Sequence, residues 1–356
     1  LKTNKKEPDS PSSWAANIVS QLLPWYREHR RTLPWREDPT PYKVLLSEFM
    51  LQQTQVITVL PYFEKFIRRF PDFQSLAQAD IQEVLSAWSG LGYYQRARNL
   101  QKTAQILCSH YLGEFPQTRE EVLALPGIGP YTAGAVLSIA FRLKIPLLDG
   151  NVIRLLTRLQ HWTEPVDQIQ KELWALSAVL VEETDAPQEL NQALMELPAL
   201  LCTPKSPQCL LCPLQSHCKS RGNTEGIPNK KSLKIKEKIL RHVLVVHTED
   251  AVLLTQHTDH KHLTGLYNFP WLETLEPYPE RFSQGIYHAG VRLRHGIMST
   301  QYELYPHIFK LKRRVLKDLP SEWEWIAKTQ INHSIPLTGS GKKIWKGISE
   351  EMGISE

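Results

Sequence analysis

Cysteine and methionine are scarce: five and four residues in a chain of 356. Acidic residues are not in excess either. Lys+Arg number 42 against Asp+Glu 37, a formal charge of +5, which excludes a strongly acidic chain and permits a polyanionic partner without demonstrating one. No uninterrupted apolar stretch is long enough to span a bilayer, so no membrane association is expected. The opening residues, Leu1 to Pro8, are polar and carry no apolar core, so they do not read as a secretory signal. No internal repeat is present, which argues against a solenoid. Hydrophobic residues make up 42% and charged residues 22%, which excludes a disordered chain and leaves room for two domains, each with its own core.

The few cysteines are not scattered. Four fall in one short stretch, Cys202-x6-Cys209-x2-Cys212-x5-Cys218, among Pro204, Pro207 and Pro213. Cys108 stands apart in the apolar run Gln105-Ile106-Leu107-Cys108 and reads as an inert, buried thiol. Without a secretory signal a reducing compartment is expected, so the cluster points to a metal rather than to two local disulfides. Four thiolates in a loop suit either tetrahedral zinc or an iron–sulfur cluster. The uneven spacing is not the paired C-x-x-C of a zinc ribbon, which tilts the reading toward the [4Fe–4S] cluster and leaves zinc as the alternative.

From Ser13 to about Leu201 apolar residues recur at three-to-four spacing between Pro- or Gly-marked breaks, the signature of helices. Residues 219–238 hold seven Lys/Arg, two Glu, Gly222, Gly226 and Pro228, and read as an exposed basic linker. Beyond it the pattern changes to strands: Val243 to Thr248 and Ala251 to Gln256 around a tight turn at Glu249-Asp250, then Tyr287 to Arg294 and Gln301 to Leu311, with a closing helix near Ile344 to Ile348. The expected organisation is an all-α domain over 1–218, the linker over 219–238, and a smaller α+β domain over 239–356.

Leu125-Pro126-Gly127-Ile128-Gly129-Pro130-Tyr131 joins two helical segments through a Gly-rich turn. Gly127 and Gly129 are expected to take positive φ there and to let the following helix offer its N–H groups to a phosphate; a plain helix–turn–helix link is the alternative. This turn, followed by Asp149-Gly150-Asn151-Val152 and the four cysteines, resembles the helix–hairpin–helix DNA glycosylases, and among them the MutY-type adenine glycosylases. Leu33-Pro34-Trp35-Arg36, Ser47-Glu48-Phe49-Met50-Leu51-Gln52-Gln53-Thr54 and Gly90-Leu91-Gly92-Tyr93-Tyr94 occur in the family's order, so the resemblance covers about Leu33 to Cys218.

Two carboxylates carry the chemistry. Asp149 is placed to cap the helix that follows it, and a carboxylate at a sugar C1′ also stabilises or traps the cation left by a departing base. Glu48 lies in an apolar helical run; such a residue is either a solvated face group or, if buried, an acid kept protonated near neutrality. The resemblance implies the second role for both, with Glu48 protonating adenine N7, Asp149 as stabiliser or nucleophile and Asn151 orienting the site. Tyr131 stands where the endonuclease III-like relatives place a Schiff-base lysine, which implies a monofunctional enzyme. Arg31 and Arg36 are either surface charges or, as the resemblance implies, neighbours of the adenine. It also implies that Gln53, Thr54, Leu91 and Tyr93 enter the duplex when the base is flipped.

Two departures from the family stand out. Leu197-Pro198-Ala199 replaces Leu-Gly-Ala before the first cluster cysteine, and proline there is expected to kink or start a helix. In the second domain Gly265-Leu266-Tyr267-Asn268-Phe269-Pro270-Trp271 resembles the Nudix fold, but no Arg-Glu-x-x-Glu-Glu helix follows, so pyrophosphatase activity is not expected. Counting from His295, Ile297-Met298-Ser299 occupies the place of the lesion-reading Phe-Ser-His, leaving Ser299 as the candidate contact to 8-oxoguanine. Double-stranded DNA with a mispaired adenine is the expected partner, and the protein is expected to be monomeric. Its expected location is the cytoplasm with the nucleoid in a bacterium, or the nucleus or mitochondrion in a eukaryote.

Overall fold

The computed structural model describes residues 11–229, 237–256, 265–276, 280, 282–297, 300–314, 319–331 and 335–351. Its contacts divide the chain into two compact units, residues 1–77 with 102–231 and residues 78–101 with 232–356. The second unit therefore takes in the helical stretch 78–101, which the composition groups with the all-α domain.

The first unit is helical. In order it contains α1 (Pro11–His29), α2 (Pro34–Glu37), α3 (Pro41–Leu51), α4 (Val56–Arg69) and α5 (Phe73–Gln78). After an excursion through α6 (Ile81–Ala87) and α7 (Gln95–His110) come α8 (Arg119–Leu123), α9 (Pro130–Phe141), α10 (Gly150–Gln160), α11 (Gln170–Glu182) and α12 (Pro187–Leu200). Proline in the first turn starts α2, α3, α9 and α12, where its missing N–H costs no helix bond. The Thr40 hydroxyl accepts from Lys43 N at 3.3 Å at the head of α3. Helix α9 is the axis of the core: Thr132 to Ile139 are all buried, as befits a helix that is apolar on every side. Gly134 within it has no room for a side chain, since a Cβ would lie 2.3 Å from the Pro146 carbonyl oxygen. That close approach brings the extended segment before Asp149 against α9.

Pro198 does not end its helix. Helix α12 continues to Leu200, and the buried Pro198 carbonyl accepts a hydrogen bond from Arg154 Nη2 at 2.8 Å. Nor is the beginning of the basic stretch a solvated tether. Ser220 and Ile227 are buried, and the Ile227 carbonyl accepts from Arg158 Nε at 3.0 Å. Lysine content alone hides this, because the apolar and hydroxyl side chains between the charges do the packing. Residues 230–236 lie outside the described residues.

The second unit holds a mixed sheet. Its strands are β1 (Glu237–His247), β2 (Ala251–Gln256), β3 (Tyr267–Asn268), β4 (Trp271–Leu272), β5 (Ile286–Ala289), β6 (Leu293–Ile297), β7 (Thr300–Lys310) and β8 (Trp323–Ala327). The order β3-β2-β1-β7-β5 forms the main path, with β4 on β1, β6 on β7 and β8 on β2. Strands β1 and β7 run parallel over their full length, from Glu237 opposite Thr300 to His247 opposite Lys310; the other pairs are antiparallel. Alternate residues of β1 feed two cores on opposite faces, Val243 and Val245 in one, Leu244 and Val246 in the other. The closing helix (Gly339–Glu351) packs Ile344, Trp345 and Ile348 into the first of these. Within this unit Tyr94 donates to the Leu337 carbonyl at 2.7 Å. The single strand expected from Tyr287 to Arg294 is two, β5 and β6, with 290–292 between them.

Candidate active site

Glu48 sits in the third turn of α3, whose residues from Val44 to Met50 are all buried. The side chain is 5% exposed and Oε2 has no hydrogen-bond partner among the described residues. Burial pushes its carboxyl up to about 7, helped by the negative charge of Asp149 and opposed by the Tyr131 hydroxyl and the Arg36 guanidinium. A carboxyl of this kind holds its proton near neutral pH and can give it to a ring nitrogen. Tyr131, in the first turn of α9, is within reach of Glu48 and also donates to Met195 Sδ of α12 at 3.3 Å. Burial and the two carboxylates raise the Tyr131 phenol well above its ordinary value, so it stays a neutral hydrogen-bond donor.

Asp149 is likewise raised above its ordinary value but is held by different partners. Its backbone is extended at the head of α10, and Oδ1 accepts from Asn151 N at 2.9 Å and Val152 N at 2.7 Å. Oδ2 accepts from Asn151 Nδ2 at 2.9 Å. Burial raises this carboxyl too, but the three N–H donors and Arg154 work against it and serve its ionised form. The helix cap and the orienting Asn151 are thus one device. Asn151 Oδ1 in turn accepts from Arg154 Nη2 at 3.0 Å, and Arg154 Nε donates to the Cys202 carbonyl at 2.8 Å.

Arg31 and Arg36 meet on a residue that the sequence reading missed. Glu196 of α12 is fully buried, and its Oε1 accepts from Arg31 N at 2.9 Å and Arg31 Nε at 2.8 Å. Oε2 accepts from Arg31 Nη2 at 2.7 Å and Arg36 Nη2 at 2.9 Å. These four bonds hold the Glu196 carboxyl down at about 2 in spite of its burial. The signal was available: a lone carboxylate in the apolar run Ala193-Leu194-Met195-Glu196-Leu197 is the same pattern that singled out Glu48.

Cys202, Cys209, Cys212 and Cys218 form no disulfide and line one pocket with Leu155, Arg158 and Leu201. Burial pushes the Cys212 thiol up to about 11 and Cys218 upward, each also feeling the other cysteines. Arg158, buried at 2% exposure, donates to Cys202 Sγ at 3.3 Å and to the Thr203 and Pro204 carbonyls at 2.8 and 3.0 Å. An all-thiol donor set beside a buried cation suits a metal group that keeps the sulfurs ionised. Arg154 and Arg158 follow Asp149 one and two turns along α10, a spacing that could have flagged them.

The remaining expectations fare unevenly. Gly127 is left-handed at φ 77, but Gly129 is not; it precedes α9 at φ −101, a conformation open to any residue. Space around a Cβ at Gly129 is empty within 4 Å, so its value is an open approach to the first turn of α9, not a backbone freedom. Gln53 is exposed and left-handed at φ 58, and Thr54 is half-buried. Tyr93 is 57% exposed at φ 48, whereas Leu91 is buried at 6%. Arg96 and Trp88 explain why: Arg96 Nη2 takes the Leu91 and Gly92 carbonyls at 3.0 and 3.1 Å, and Trp88 Nε1 donates to Gly92 O at 3.2 Å, folding the turn inward at Leu91. Ile297 ends β6, and Met298 and Ser299 lie outside the described residues. Cys108 is half-buried, its thiol raised by burial. No helix among the described residues is long and apolar enough to cross a membrane.

Residues 46–178 match the HhH-GPD superfamily of base excision DNA repair proteins, and residues 202–218 match the iron–sulfur binding domain of endonuclease III. Over 269 residues the chain is 40% identical to an adenine DNA glycosylase of Buchnera aphidicola subsp. Schizaphis graminum, covering 72% of this chain and 76% of that one. It is 46% identical over 207 residues to the adenine DNA glycosylase of Buchnera aphidicola subsp. Baizongia pistaciae, 57% of this chain and 58% of that one, so it spans under two thirds of that relative. Among solved structures it resembles a thermostable thymine-DNA glycosylase with a TM-score of 0.55 and 28% identity, over 60% of this chain and 99% of that chain.

Proposed function

The chain belongs to the adenine DNA glycosylases of the HhH-GPD base excision repair superfamily, and from that premise we propose that it releases adenine mispaired with 8-oxoguanine or guanine in duplex DNA. The observation that carries this reading is the buried, singly unpartnered Glu48 carboxyl near the capped Asp149 carboxylate. Adenine is a poor anionic leaving group. Glu48 protonates its ring, the N-glycosidic bond breaks, and the electrons of that bond leave with the neutral base. Asp149, held by Asn151, faces the sugar cation that results, and water adds to C1′ and gives its proton to the Glu48 carboxylate. Tyr131 supplies no amine, so the product is an intact strand with an abasic site.

Arg31 and Arg36 present guanidinium edges to the flipped base. The turn at Gly127 and Gly129 holds a phosphate, and the family resemblance assigns Gln53, Thr54, Leu91 and Tyr93 each to duplex penetration. Cys202, Cys209, Cys212 and Cys218 would hold a [4Fe–4S] cluster, whose iron would keep the sulfurs ionised, while Arg158 of α10 holds the loop at Cys202, Thr203 and Pro204. Zinc is the alternative, disfavoured because the uneven cysteine spacing is not the paired C-x-x-C of a zinc ribbon. Visible absorbance with iron and sulfide analysis checks this; a colourless zinc protein would overturn it. The second unit is a Nudix-like lesion reader without pyrophosphatase activity, with Ser299 as its contact to 8-oxoguanine.

A single-turnover assay over A:8-oxoG, A:G, A:C, T:G and U:G duplexes tests the reading. Release of adenine from A:8-oxoG and A:G, falling as pH rises through about 7 where Glu48 loses its proton, is expected. Borohydride should trap no protein–DNA adduct. Since a thymine-DNA glycosylase is among the structural relatives, thymine release with adenine untouched would establish altered base choice instead.

A further inference from the structure

Glu196 does more than fill a salt bridge. A fully buried carboxylate costs several kcal/mol in desolvation, and such triads are seldom a source of stability compared with apolar packing. Here every acceptor direction of the carboxylate is used, and three of its four donors belong to one short stretch, Arg31 backbone N, Nε and Nη2. The loop between α1 and α2 is therefore fixed both at its backbone and at a guanidinium. Arg36, 11% exposed at its side chain, gives Nη2 to Glu196 and Nη1 to the Arg31 carbonyl at 3.3 Å. Each arginine is locked along one edge, so each keeps a defined orientation.

The second consequence is electrical. The groups that act on Glu48 are Tyr131 from α9, Asp149 from the head of α10 and Arg36 from α2. The Tyr131 hydroxyl and Arg36 both favour loss of the proton that Glu48 must keep, and Arg36 is the one cation among them. Glu196 lies against Arg36 and Arg31, so the two cations face one buried anion, and with Asp149 ionised and Glu48 protonated these five groups sum to zero charge.

We propose that Glu196 is a positioning residue for base release: it locks Arg31 and Arg36 edge-on and offsets the positive charge of Arg36 where it would otherwise draw the proton off Glu48. The proposal rests on the reading of Glu48 as the acid. Without Glu196 the two guanidinium groups would repel each other and lose their fixed orientation, and Arg36 would stabilise ionised Glu48.

The test uses the full chain with its metal group in place, in wild-type form and as Glu196→Gln, Glu196→Asp and the pair Arg36→Met with Glu196→Gln. Glu48 is followed by carboxyl ¹³C NMR of glutamate-labelled protein, with the signal assigned by its loss in Glu48→Gln. Single-turnover adenine release is measured in parallel from pH 5 to 9. In Glu196→Gln the Glu48 midpoint should fall by about one pH unit, the expected response to an uncompensated nearby cation. The alkaline limb of adenine release should move with it, giving roughly a tenfold loss at pH 8 that shrinks toward pH 5.5. Glu196→Asp should keep the limb in place, and the paired variant should bring it back, because Arg36, the cation that acts on Glu48, is gone.

An unmoved midpoint, or a loss equal at every pH, overturns the proposal. If Glu196→Gln does not fold, the paired variant and Glu196→Asp carry the comparison: a displaced limb in either overturns it. If the wild-type chain releases no adenine, the functional reading fails, while the NMR titration still decides the charge role of Glu196.

Discussion

Two buried carboxyl groups, one in the middle of α3 and one at the head of α10, show how a helix decides what an acid can do. Both are raised by burial. Asp149 meets two backbone N–H donors because the first turn of a helix leaves its N–H groups unbonded, and a third donor from the Asn151 side chain. Glu48 meets none of these, because the N–H groups in the interior of α3 are already bonded along the helix, and one of its oxygens stays unpartnered. Position along a helix thus separates a proton donor from an anion. No difference in side-chain chemistry is needed.

Glu48→Gln should remove the proton donor and lower adenine release by roughly a thousandfold, within the usual range for a lost general acid, while duplex binding persists. Asp149→Asn should cost roughly a hundredfold or more, the scale of a lost electrostatic partner for a developing charge. Single-turnover rates check both, and a fully active Glu48→Gln would break the contrast. Stability sharpens it further. The folded-state value of about 7 for Glu48 lies above its ordinary 4.5, so folding takes up a proton between those values and the protein loses stability as pH rises from about 4.5 through 7. The loss reaches about 3 kcal/mol at most. Denaturation of Glu48→Gln should accordingly show a gain over wild type that is near zero at pH 4.5 and largest at pH 8. Asp149→Asn should show less than half that gain; equal gains would mean that the cap does not serve the ionised form.

Smaller effects come from the supports. Asn151→Ala frees the Asp149 carboxylate from one bond and breaks its link to Arg154, which should slow release roughly tenfold, since slight misplacement of a reacting group is costly. Rate at saturating duplex reads this. Tyr131→Phe removes a single hydrogen bond of about 1 kcal/mol, so roughly a fivefold change is expected, with the alkaline limb moved upward in pH because the hydroxyl lowers Glu48.

The sequence was most informative where function and local structure use the same residue. Asp149 before an apolar helical run announces a cap, and the cap is also part of the candidate site. The β1–β2 hairpin around Glu249-Asp250 was equally plain, because its two strands are adjacent in the chain. What stayed hidden depends on distant partners. The parallel pairing of β1 with β7 joins segments about sixty residues apart, and no local pattern encodes it. Leu91 sits in a glycine-rich turn that looks exposed, yet Arg96, five residues later, turns its carbonyl inward. Glu196 shares the pattern of Glu48, but its role follows only from two arginines some 160 residues upstream.

The missing side chain at Gly134 has a consequence for rate as well as for stability. One turn before it on α9 stands Tyr131; three residues beyond Pro146, the group it touches, stands Asp149. The contact is a spacer of fixed length between the two, and its length is set by bare backbone. Adding one methyl group would jack the two arms apart by the better part of an ångström. The whole machine could still assemble, slightly out of gauge, with its acid and its cation trap each intact and no longer aimed at the same bond.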